Sequence, residues 1–307
     1  MTYQPEGLKI ATQENKNALH SPLSIADACT RGLILEAKAT MCDSAHNLYV
    51  DLGPMKGIIP REEGAVGISD GSVRDIAIIS RVGKSVCFVV TAMDLDRQGN
   101  PVALLSRRRA QEECSEHYLS KLIPGDVIDA RVTHLEPFGA FCDIGCGIPS
   151  LLPIDAISVS RISHPADRFA PGDSIKAVVR SVDNGRITLS LKELLGTWVE
   201  NAAAFSQGET VSGIIRSVEE YGVFVELTPN LAGLAEPKSG VYEGQQASVF
   251  IKNIIPERMK VKLIIIDAFD ADYTPEPLKY YFEGVHMDRF QYSPASCDKM
   301  ICTAFAE

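Results

Sequence analysis

The sequence predicts a mainly β protein built from three tandem, five-stranded barrels that are joined by short helical linkers. A chain of 307 residues suits several small domains better than one large domain. Segments 124–153 and 207–237 repeat one order of features: a Gly-acid pair, an alternating apolar strand, an aromatic-Gly-x-Phe group and a Gly-rich turn. Helix-forming residues lie between the repeated segments, so each repeat is expected to be a separate module.

The first part of the chain holds the weakest copy of this pattern. Residues 1–27 are a polar N-terminal segment, and 28–110 form a divergent module in which "HNLYVDLG" replaces the "FGAFCDIG" of the second module. Residues 61–80 are additional, Gly-rich material inside this module. We expect a helical linker at 111–123, because "RRRAQEECSEHYLSKL" is rich in helix formers.

The second and third modules are more regular. The second, 124–193, has strands in "PGDVIDARV", "FGAFCDIG", "PGDSIKAVV" and "GRITLSLK", separated by Gly, Pro and Asn. A second helical linker is expected at 194–206, and the third module at 207–267 continues the plan with "YGVFVELT" and "RMKVKLIII". The aromatic residues of the C-terminal extension, 268–307, indicate an ordered segment docked on the third module.

An aromatic group recurs at the same place in both regular modules, as "FGAF" in the second and "YGVF" in the third. Residues three apart on a strand point to opposite faces, whereas a glycine permits a bulge or tight turn that brings both rings to one side. We therefore expect Phe138 and Tyr221 on an exposed platform. Phe141 and Phe224 suit either the platform or the barrel core.

Basic residues alternate along the later strands of the second module. Lys176 and Arg180 point outward if Ala177 and Val179 face the core, and Arg186 begins the strand after the "DNG" turn. A merely solvated strand face shows the same alternation. Exposed rings beside cations on a small barrel can bind single-stranded nucleic acid, because every base offers a face for stacking and cations hold the backbone.

These motifs resemble the S1 RNA-binding domain, the five-stranded oligonucleotide-binding (OB) barrel that is repeated in ribosomal protein S1 and attached to polynucleotide phosphorylase. Residues 125–192 carry the resemblance most clearly, 207–267 less well and 31–109 weakly. The resemblance implies an RNA platform of two aromatic rings, a histidine, and an Asp and an Arg around the final turn. The matching positions are Phe138, Phe141, Asp183 and Arg186 in the second module, and Tyr221 and Phe224 in the third.

The chain departs from the family at the histidine of the platform. The three modules hold Pro60, Pro153 and Glu236 at this position. A carboxylate repels a phosphate, so we expect the third module to bind RNA more weakly or to have another partner.

The first module departs further, because its ring pair becomes His46 and Tyr49. Both side chains could still stack on bases. The "RRR" run at 107–109 helps to make this module the most basic of the three, although the run could equally be the solvated start of a helix.

The composition, with 45% hydrophobic and 23% charged residues, is that of a soluble globular protein. No apolar stretch approaches the ~20 residues of a membrane-spanning helix, and the polar N-terminus does not resemble a secretory signal. We therefore expect a cytoplasmic protein. The formal charge of −10 opposes nucleic-acid binding, but the acidity is concentrated outside the modules.

Neither a metal site nor a catalytic site is expected. Cys142 and Cys146 lie four apart and could be imagined with His134 as zinc ligands, but no C-x-x-C occurs and scattered cysteines are typical of a reducing compartment. "GISDG" fits the G-x-S-x-G pattern but lies in the Gly-rich insertion rather than between a strand and a helix. No Walker or dinucleotide-binding motif occurs, so we expect no cofactor and no small-molecule substrate.

The sequence therefore predicts a non-catalytic protein that holds single-stranded RNA, such as mRNA at the ribosome, by base stacking and by contacts of Lys and Arg with the backbone. Translation is the process that the resemblance implies. The alternative is a protein-interaction scaffold whose barrels no longer bind RNA, which the acidity and the missing histidines favour. Stacking contributes ~1–3 kcal/mol per base, so one module would bind weakly and tandem modules would be needed.

Overall fold

The computed structural model describes residues 3–96, 98–271 and 277–305. Within these ranges the chain forms three closed five-stranded barrels, one two-stranded sheet and five short α-helices. The predicted mainly β architecture of tandem barrels with short helices between them is confirmed. The predicted end segments include 1–2, 272–276 and 306–307, which lie outside the described residues, as does position 97 of the first module.

The first barrel follows two helices, α1 (Gln13–Ala18) and α2 (Pro22–Arg31). Ser21 caps α2 by accepting a hydrogen bond from the Ser24 amide, as expected for serine at this position. The strands lie in the order β1-β2-β3-β5-β4 around the barrel, and α3 belongs to the inserted segment. The elements are β1 (Ile34–Cys42), β2 (Leu48–Asp51), β3 (Lys56–Ile59), α3 (Ile76–Ile79), β4 (Ser85–Leu95) and β5 (Pro101–Ser106).

The second barrel follows α4 (Arg107–His117), which begins four residues before the predicted first linker, 111–123, and extends into it. Its strand order is β10-β8-β7-β6-β9, so that β8 and β10 pair in parallel and close the barrel. The strands are β6 (Val127–Glu136), β7 (Gly139–Asp143), β8 (Pro149–Pro153), β9 (Ser174–Asp183) and β10 (Arg186–Ser190).

The third barrel follows the predicted second linker, in which a capping box formed by Thr197 and Glu200 starts α5 (Trp198–Ala202). Its strands lie in the order β11-β12-β13-β15-β14, and the C-terminal extension adds a small two-stranded sheet. The strands are β11 (Thr210–Glu219), β12 (Gly222–Thr228), β13 (Leu231–Ala235), β14 (Gln246–Ile255) and β15 (Lys260–Phe269), followed by β16 (Arg289–Gln291) and β17 (Cys302–Ala304).

Apolar side chains fill the barrels and recruit the elements beside them. Ile25 of α2 and Ile78 of α3 are buried in the core of the first barrel. Trp198 of α5 and Tyr292 of the C-terminal extension are buried in the core of the third. The hydrophobic effect therefore attaches the linker helix and the extension to the third barrel, at about 25 cal/mol per Å² of apolar surface removed from water.

The described residues pack as two compact units. The first contains the chain up to Leu122 together with 129–131 and 143–149, and the second contains the remaining segments from Ile123 onward. The first barrel belongs to the first unit and the third barrel to the second, while the strands of the second barrel contribute to both.

A buried ion pair organises the first unit. Arg107 Nε donates to Glu6 Oε1 at 2.7 Å, and both side chains are almost fully buried. Burial raises the pKa of Glu6, but the charge and hydrogen bonds of Arg107 outweigh this and hold the pKa below its usual value. Arg108 is bound by Glu63 and Glu112. The expectation that this arginine run is solvated or free for RNA is therefore wrong for Arg107, whose guanidinium is committed to the core.

A second ionic network joins the second and third barrels within the second unit. Glu226 of β12 accepts hydrogen bonds from Arg168, at 2.5 Å, and from Arg216, at 2.9 Å. Arg216 also pairs with Asp167 at 3.2 Å. Because Glu226, Arg168 and Arg216 are all buried, removing one partner would leave an uncompensated charge, and the network fixes these two segments together.

Candidate nucleic-acid interface

Two-residue turns place the recurring aromatic residues at the surface. Phe138 lies in the turn between β6 and β7, and its side chain is 55% exposed; Tyr221 lies in the turn between β11 and β12 and is 67% exposed. Each ring meets the second ring of its group edge to face, with centroids 6.1 Å apart for Phe138 and Phe141 and 6.2 Å apart for Tyr221 and Phe224. Both rings of each pair thus lie on one side of the barrel, with Phe141 and Phe224 half-buried at its edge.

The glycine of each group is required by a close approach of the neighbouring strand. A Cβ atom added to Gly139 would lie 2.5 Å from the carbonyl oxygen of Leu152, and one added to Gly222 would lie 2.5 Å from that of Ala235. Backbone atoms cannot yield as a flexible side chain can. Gly139 has no unusual backbone angle, so for this residue the contact replaces the explanation from the sequence. Gly222 has a φ of +157°, which other residues rarely adopt, so both the backbone angle and the contact require a glycine there. The turn orients the rings, and the glycine lets the next strand pack beneath them.

His134 adds a third ring to the second barrel. It is exposed near the end of β6 and stacks on Phe141 at a centroid distance of 6.5 Å and an interplanar angle of 24°. Its Nε2 lies 2.7 Å from the Glu136 carboxylate, which holds the imidazole in place. In the sequence, His134 suggested only a metal ligand, together with Cys142 and Cys146, both of which are buried. A strand position opposite an aromatic residue was the signal that could have identified it.

Arg180 lies on the same side of the second barrel as the Phe138 turn. Its Nη1 is 3.5 Å from Asp155, in the turn that follows β8. The neighbouring Ile154 amide donates to the Phe138 carbonyl at 3.0 Å. Lys192 was not among the residues predicted for the site. Its Nζ donates to the Asp155 carbonyl.

Asp183 and Arg186 face each other at the end of the β9–β10 hairpin, and both are exposed. Asp183 accepts a hydrogen bond from the Ser181 hydroxyl at 2.8 Å. Lys176 lies seven residues before Asp183 on β9, about 23 Å away at the rise of a β-strand. Its amide donates to the Tyr280 hydroxyl of the C-terminal extension at 3.0 Å, so the structure does not group Lys176 with Arg186.

Strand register defines one row of facing residues across the outside of the third barrel. The row runs from Ser217 through Phe224, Leu234 and Lys262 to Asn253. Neighbouring side chains in such a row have Cβ atoms about 4.5–5.5 Å apart. Phe224 therefore has an apolar neighbour and then a cation, which is the sequence of contacts that a stacked base and its phosphate require.

The same row differs in the other two barrels. In the second barrel it runs through Leu151, Thr188 and Ser181, so a hydroxyl replaces the lysine. In the first barrel Tyr49 is followed by Ile58, Leu104 and Ala92, so the row is apolar throughout.

In the first barrel, both side chains of the predicted ring pair, His46 and Tyr49, are bonded to carboxylates. His46 pairs with Asp75 of the insertion at 3.1 Å, and Arg61 pairs with the same carboxylate at 2.8 Å. The hydrogen bond from Arg61 contributes most to lowering the pKa of Asp75. The Tyr49 hydroxyl donates to Asp43 at 3.2 Å. His46 and Tyr49 therefore already contact carboxylates, and the insertion supplies one of them.

The third barrel has more cations near its rings than the sequence had indicated. Lys260 and Lys262 alternate outward on β15, and Lys252 lies on β14, where it pairs with Glu236 at 3.5 Å. The alternation in "KVKL" is visible in the sequence, but strand register is needed to place it beside Phe224. Glu236, expected to repel phosphate, is thus partly neutralised by Lys252.

Comparison with known proteins bears on this interface. Residues 121–192 match the family model of the S1 RNA binding domain. The chain contains an S1 RNA-binding domain. The second barrel, with its three rings, is this S1 domain, and the resemblance to proteins with tandem S1 barrels is confirmed. The match supports RNA binding of the S1 type.

Relatives in ribosomes extend the similarity beyond one S1 domain. The chain is 33% identical over 174 residues to small ribosomal subunit protein bS1 of Staphylococcus aureus, covering 55% of this chain and 41% of that protein. It is 37% identical over 157 residues to the bS1 homolog of Bacillus subtilis, covering 49% of this chain and 38% of the relative. The chain thus spans less than half the length of these relatives.

Among solved structures, the chain is similar to a multidomain protein with nucleic acid binding domains from Streptococcus pneumoniae. That match has 15% sequence identity and a TM-score of 0.26, and it covers 77% of this chain and 74% of the other. None of the described helices combines the length and the apolar character that crossing a bilayer demands.

Proposed function

We propose that this chain binds single-stranded RNA on the S1 barrel and on the third barrel, without catalysing a reaction. The observation that carries the proposal is the open cluster of Phe138, Phe141 and His134 on the S1 barrel. Two of these rings are largely exposed although burial would be favourable, and an exposed stacked cluster is what a base needs.

Each group has a distinct role in this proposal. Phe138 and His134 offer ring faces on which successive bases stack, and Phe141 holds the two rings in place from its half-buried position. Arg180 and Arg186 neutralise the backbone phosphates, and Asp183 hydrogen-bonds a ribose or base. Lys176 contacts the RNA only if the RNA reaches as far as the C-terminal extension.

The biological setting belongs to the same proposal. A relative named for the small ribosomal subunit suggests mRNA as the RNA, the ribosome as a further partner, translation as the process and the cytoplasm as the location. The rings recognise bases of any sequence, because stacking does not depend on hydrogen-bond readout.

The first barrel favours a different role, that of a protein-interaction module. Its row beside Tyr49 is apolar, and carboxylates hold both His46 and Tyr49. We propose that this barrel does not contribute to RNA affinity, so that the scaffold alternative applies to it alone.

A titration of fluorescent, unstructured oligouridine at two salt concentrations tests the function. We expect binding that weakens as the salt concentration rises. Binding releases salt cations from the RNA phosphates, and this release becomes less favourable at high salt. Phe138→Ala should lower the affinity by about five- to a hundredfold, because stacking contributes ~1–3 kcal/mol per base.

The matched control is Phe269→Ala, which removes an exposed phenylalanine far along β15 from the rings. It should leave the affinity unchanged. Absence of binding at low salt, or equal losses for Phe138→Ala and Phe269→Ala, would contradict RNA binding at this cluster and favour the scaffold.

A further inference from the structure

A groove of about 790 Å³ runs along the third barrel, beside Tyr221 and Phe224. One side is the outer face of β13 and β15, which carries Leu234 and Lys262 of the row described above. Residues of the C-terminal extension also border the groove. They are Tyr292, Lys299 and Ile301.

The charge of the groove is strongly one-sided. Among the described residues that line it, five are cationic and one is acidic. The acidic residue, Glu236, is already paired with Lys252. The other four cations make no ion pair within the described part of the chain. These four are Arg258, Lys260, Lys262 and Lys299.

The extension is held firmly where it borders the groove. The Tyr292 ring is buried in the core of the third barrel, and its hydroxyl donates to the Asn230 carbonyl at 2.6 Å. The Trp198 amide donates to the Tyr292 carbonyl at 3.0 Å, and the Tyr292 amide donates to that of Ile301 at 2.9 Å. These bonds tie both ends of the loop that carries Lys299, so its ammonium group is presented from a fixed base.

We propose that the C-terminal extension completes the single-strand site of the third barrel, with Lys299 binding a phosphate of the strand whose bases stack on Tyr221 and Phe224. The proposal rests on the RNA-binding function proposed above and assigns part of it to a segment outside the barrel. Single-stranded RNA is the occupant that fits, because rings and unpaired cations line the same groove.

This site removes the difference in RNA affinity between the second and third modules that the family histidine position suggested. The third barrel lacks that histidine, but Lys262 stands where the S1 barrel has Thr188, and Lys299 adds a further cation. Lys260 takes the place of Arg186 in the S1 barrel. Its affinity for RNA is therefore expected to be comparable with that of the S1 barrel.

The test is a titration of the full chain and of Lys299→Ala with oligouridine across a series of salt concentrations. A lost phosphate contact lowers the slope of log affinity against log salt by about 0.7 for a single strand, besides weakening binding. Lys84→Ala is the control, since it removes an exposed lysine on the first barrel. It should leave the slope unchanged.

A weaker binding of Lys299→Ala indicates a lost phosphate contact only if the variant is as stable as the wild-type chain. Because Lys299 is exposed, its replacement should not shift the thermal unfolding midpoint. Truncating the extension would remove Tyr292 from the core, and point variants are therefore used. Tyr221→Ala should weaken oligouridine binding in the same assay.

Three outcomes would overturn the proposal. If Phe138→Ala weakens RNA binding but Lys299→Ala behaves like Lys84→Ala, the extension has no part in the site while the proposed function stands. If no variant or wild-type chain binds oligouridine, the function itself fails. If a fluorescent oligoglutamate peptide binds instead and depends on Tyr221 and Lys299, the groove takes an acidic protein segment rather than RNA.

Discussion

Single side chains differ widely in how far they remain open to a ligand. Phe138 and Tyr221 leave most of their ring surface in water, a position that contributes little to folding and is therefore suited to binding. Arg107 shows the opposite case. Its charge looked available in the sequence, but Glu6, about a hundred residues away in the chain, takes it into the core.

His134 gives a prediction at this scale. Replacing it with alanine removes the ring that stacks on Phe141 and should weaken oligouridine binding by about fivefold, or ~1 kcal/mol, the lower end of the range for one stacked base. Fluorescence anisotropy would measure the change.

His20→Ala is the matched control, because it removes an exposed imidazole before α2. His134→Phe should retain most of the affinity, since a ring stays on Phe141. A loss equal to that of His134→Ala would show that the imidazole acts through a hydrogen bond or charge rather than through stacking.

Among the elements, the hairpins position the exposed rings and the C-terminal extension borders the groove of the third barrel. The two-residue turns orient the rings, and the extension binds the second and third barrels at several places. At the S1 barrel, His286 Nδ1 lies 2.7 Å from Asp126, and the Met287 amide donates to the Gly125 carbonyl at 2.9 Å.

The contact of His286 should make docking of the extension depend on pH. The hydrogen bond to Asp126 contributes most to raising the pKa of His286, and the Asp126 and Asp288 charges add to it. A pKa raised on docking means that the stabilisation is complete below the undocked value, near 6.5, and is lost as the pH rises through the docked value.

Hydrogen exchange measures this directly. The protection factors of the Met287 and Val127 amides, which bond across this contact, should fall as the pH rises above 6.5. His286→Gln should remove the pH dependence. Equal protection on both sides of this range in the wild-type chain would contradict a titrating contact.

The elements were the most predictable level of the structure. Apolar alternation and the repeated Gly-acid starts indicated the barrels, because a strand with one buried face must alternate. The sequence could not show which strands face each other, and so it missed the position of Lys262 beside Leu234. Nothing in the sequence indicated that Lys299 borders the groove, because its position depends on how Tyr292 packs in the third barrel.

Over the whole molecule, the ring cluster of the S1 barrel and that of the third barrel lie within one packed unit. The buried network around Glu226 connects their segments, so the two ring clusters are held at a fixed separation. A strand long enough to reach both clusters gains affinity from the second contact without new chemistry, since binding at the first raises the effective concentration of the second.

Comparing a short and a long oligouridine tests this coupling. The wild-type chain should bind the longer RNA about a hundredfold more tightly than the shorter one. Phe138→Ala or Tyr221→Ala alone should remove most of that preference, because either leaves a single cluster. Tyr242→Ala, which removes an exposed tyrosine elsewhere on the third barrel, should preserve it.

If both single-cluster variants kept the full preference for long RNA, the two barrels would bind independently. The first barrel would then need to be tested as the second contact, with Tyr49→Ala as the variant.

The short turns that carry Phe138 and Tyr221 have a consequence for how such modules diversify. The barrel needs only the glycine after each turn, because Leu152 or Ala235 crowds that position, while the ring itself lies outside the packed strands. The identity of the ring can therefore change without penalty to the scaffold. Exchanging the "PF" and "EY" pairs between the two hairpins should therefore yield chains that fold normally and differ only in how strongly each barrel stacks on a base.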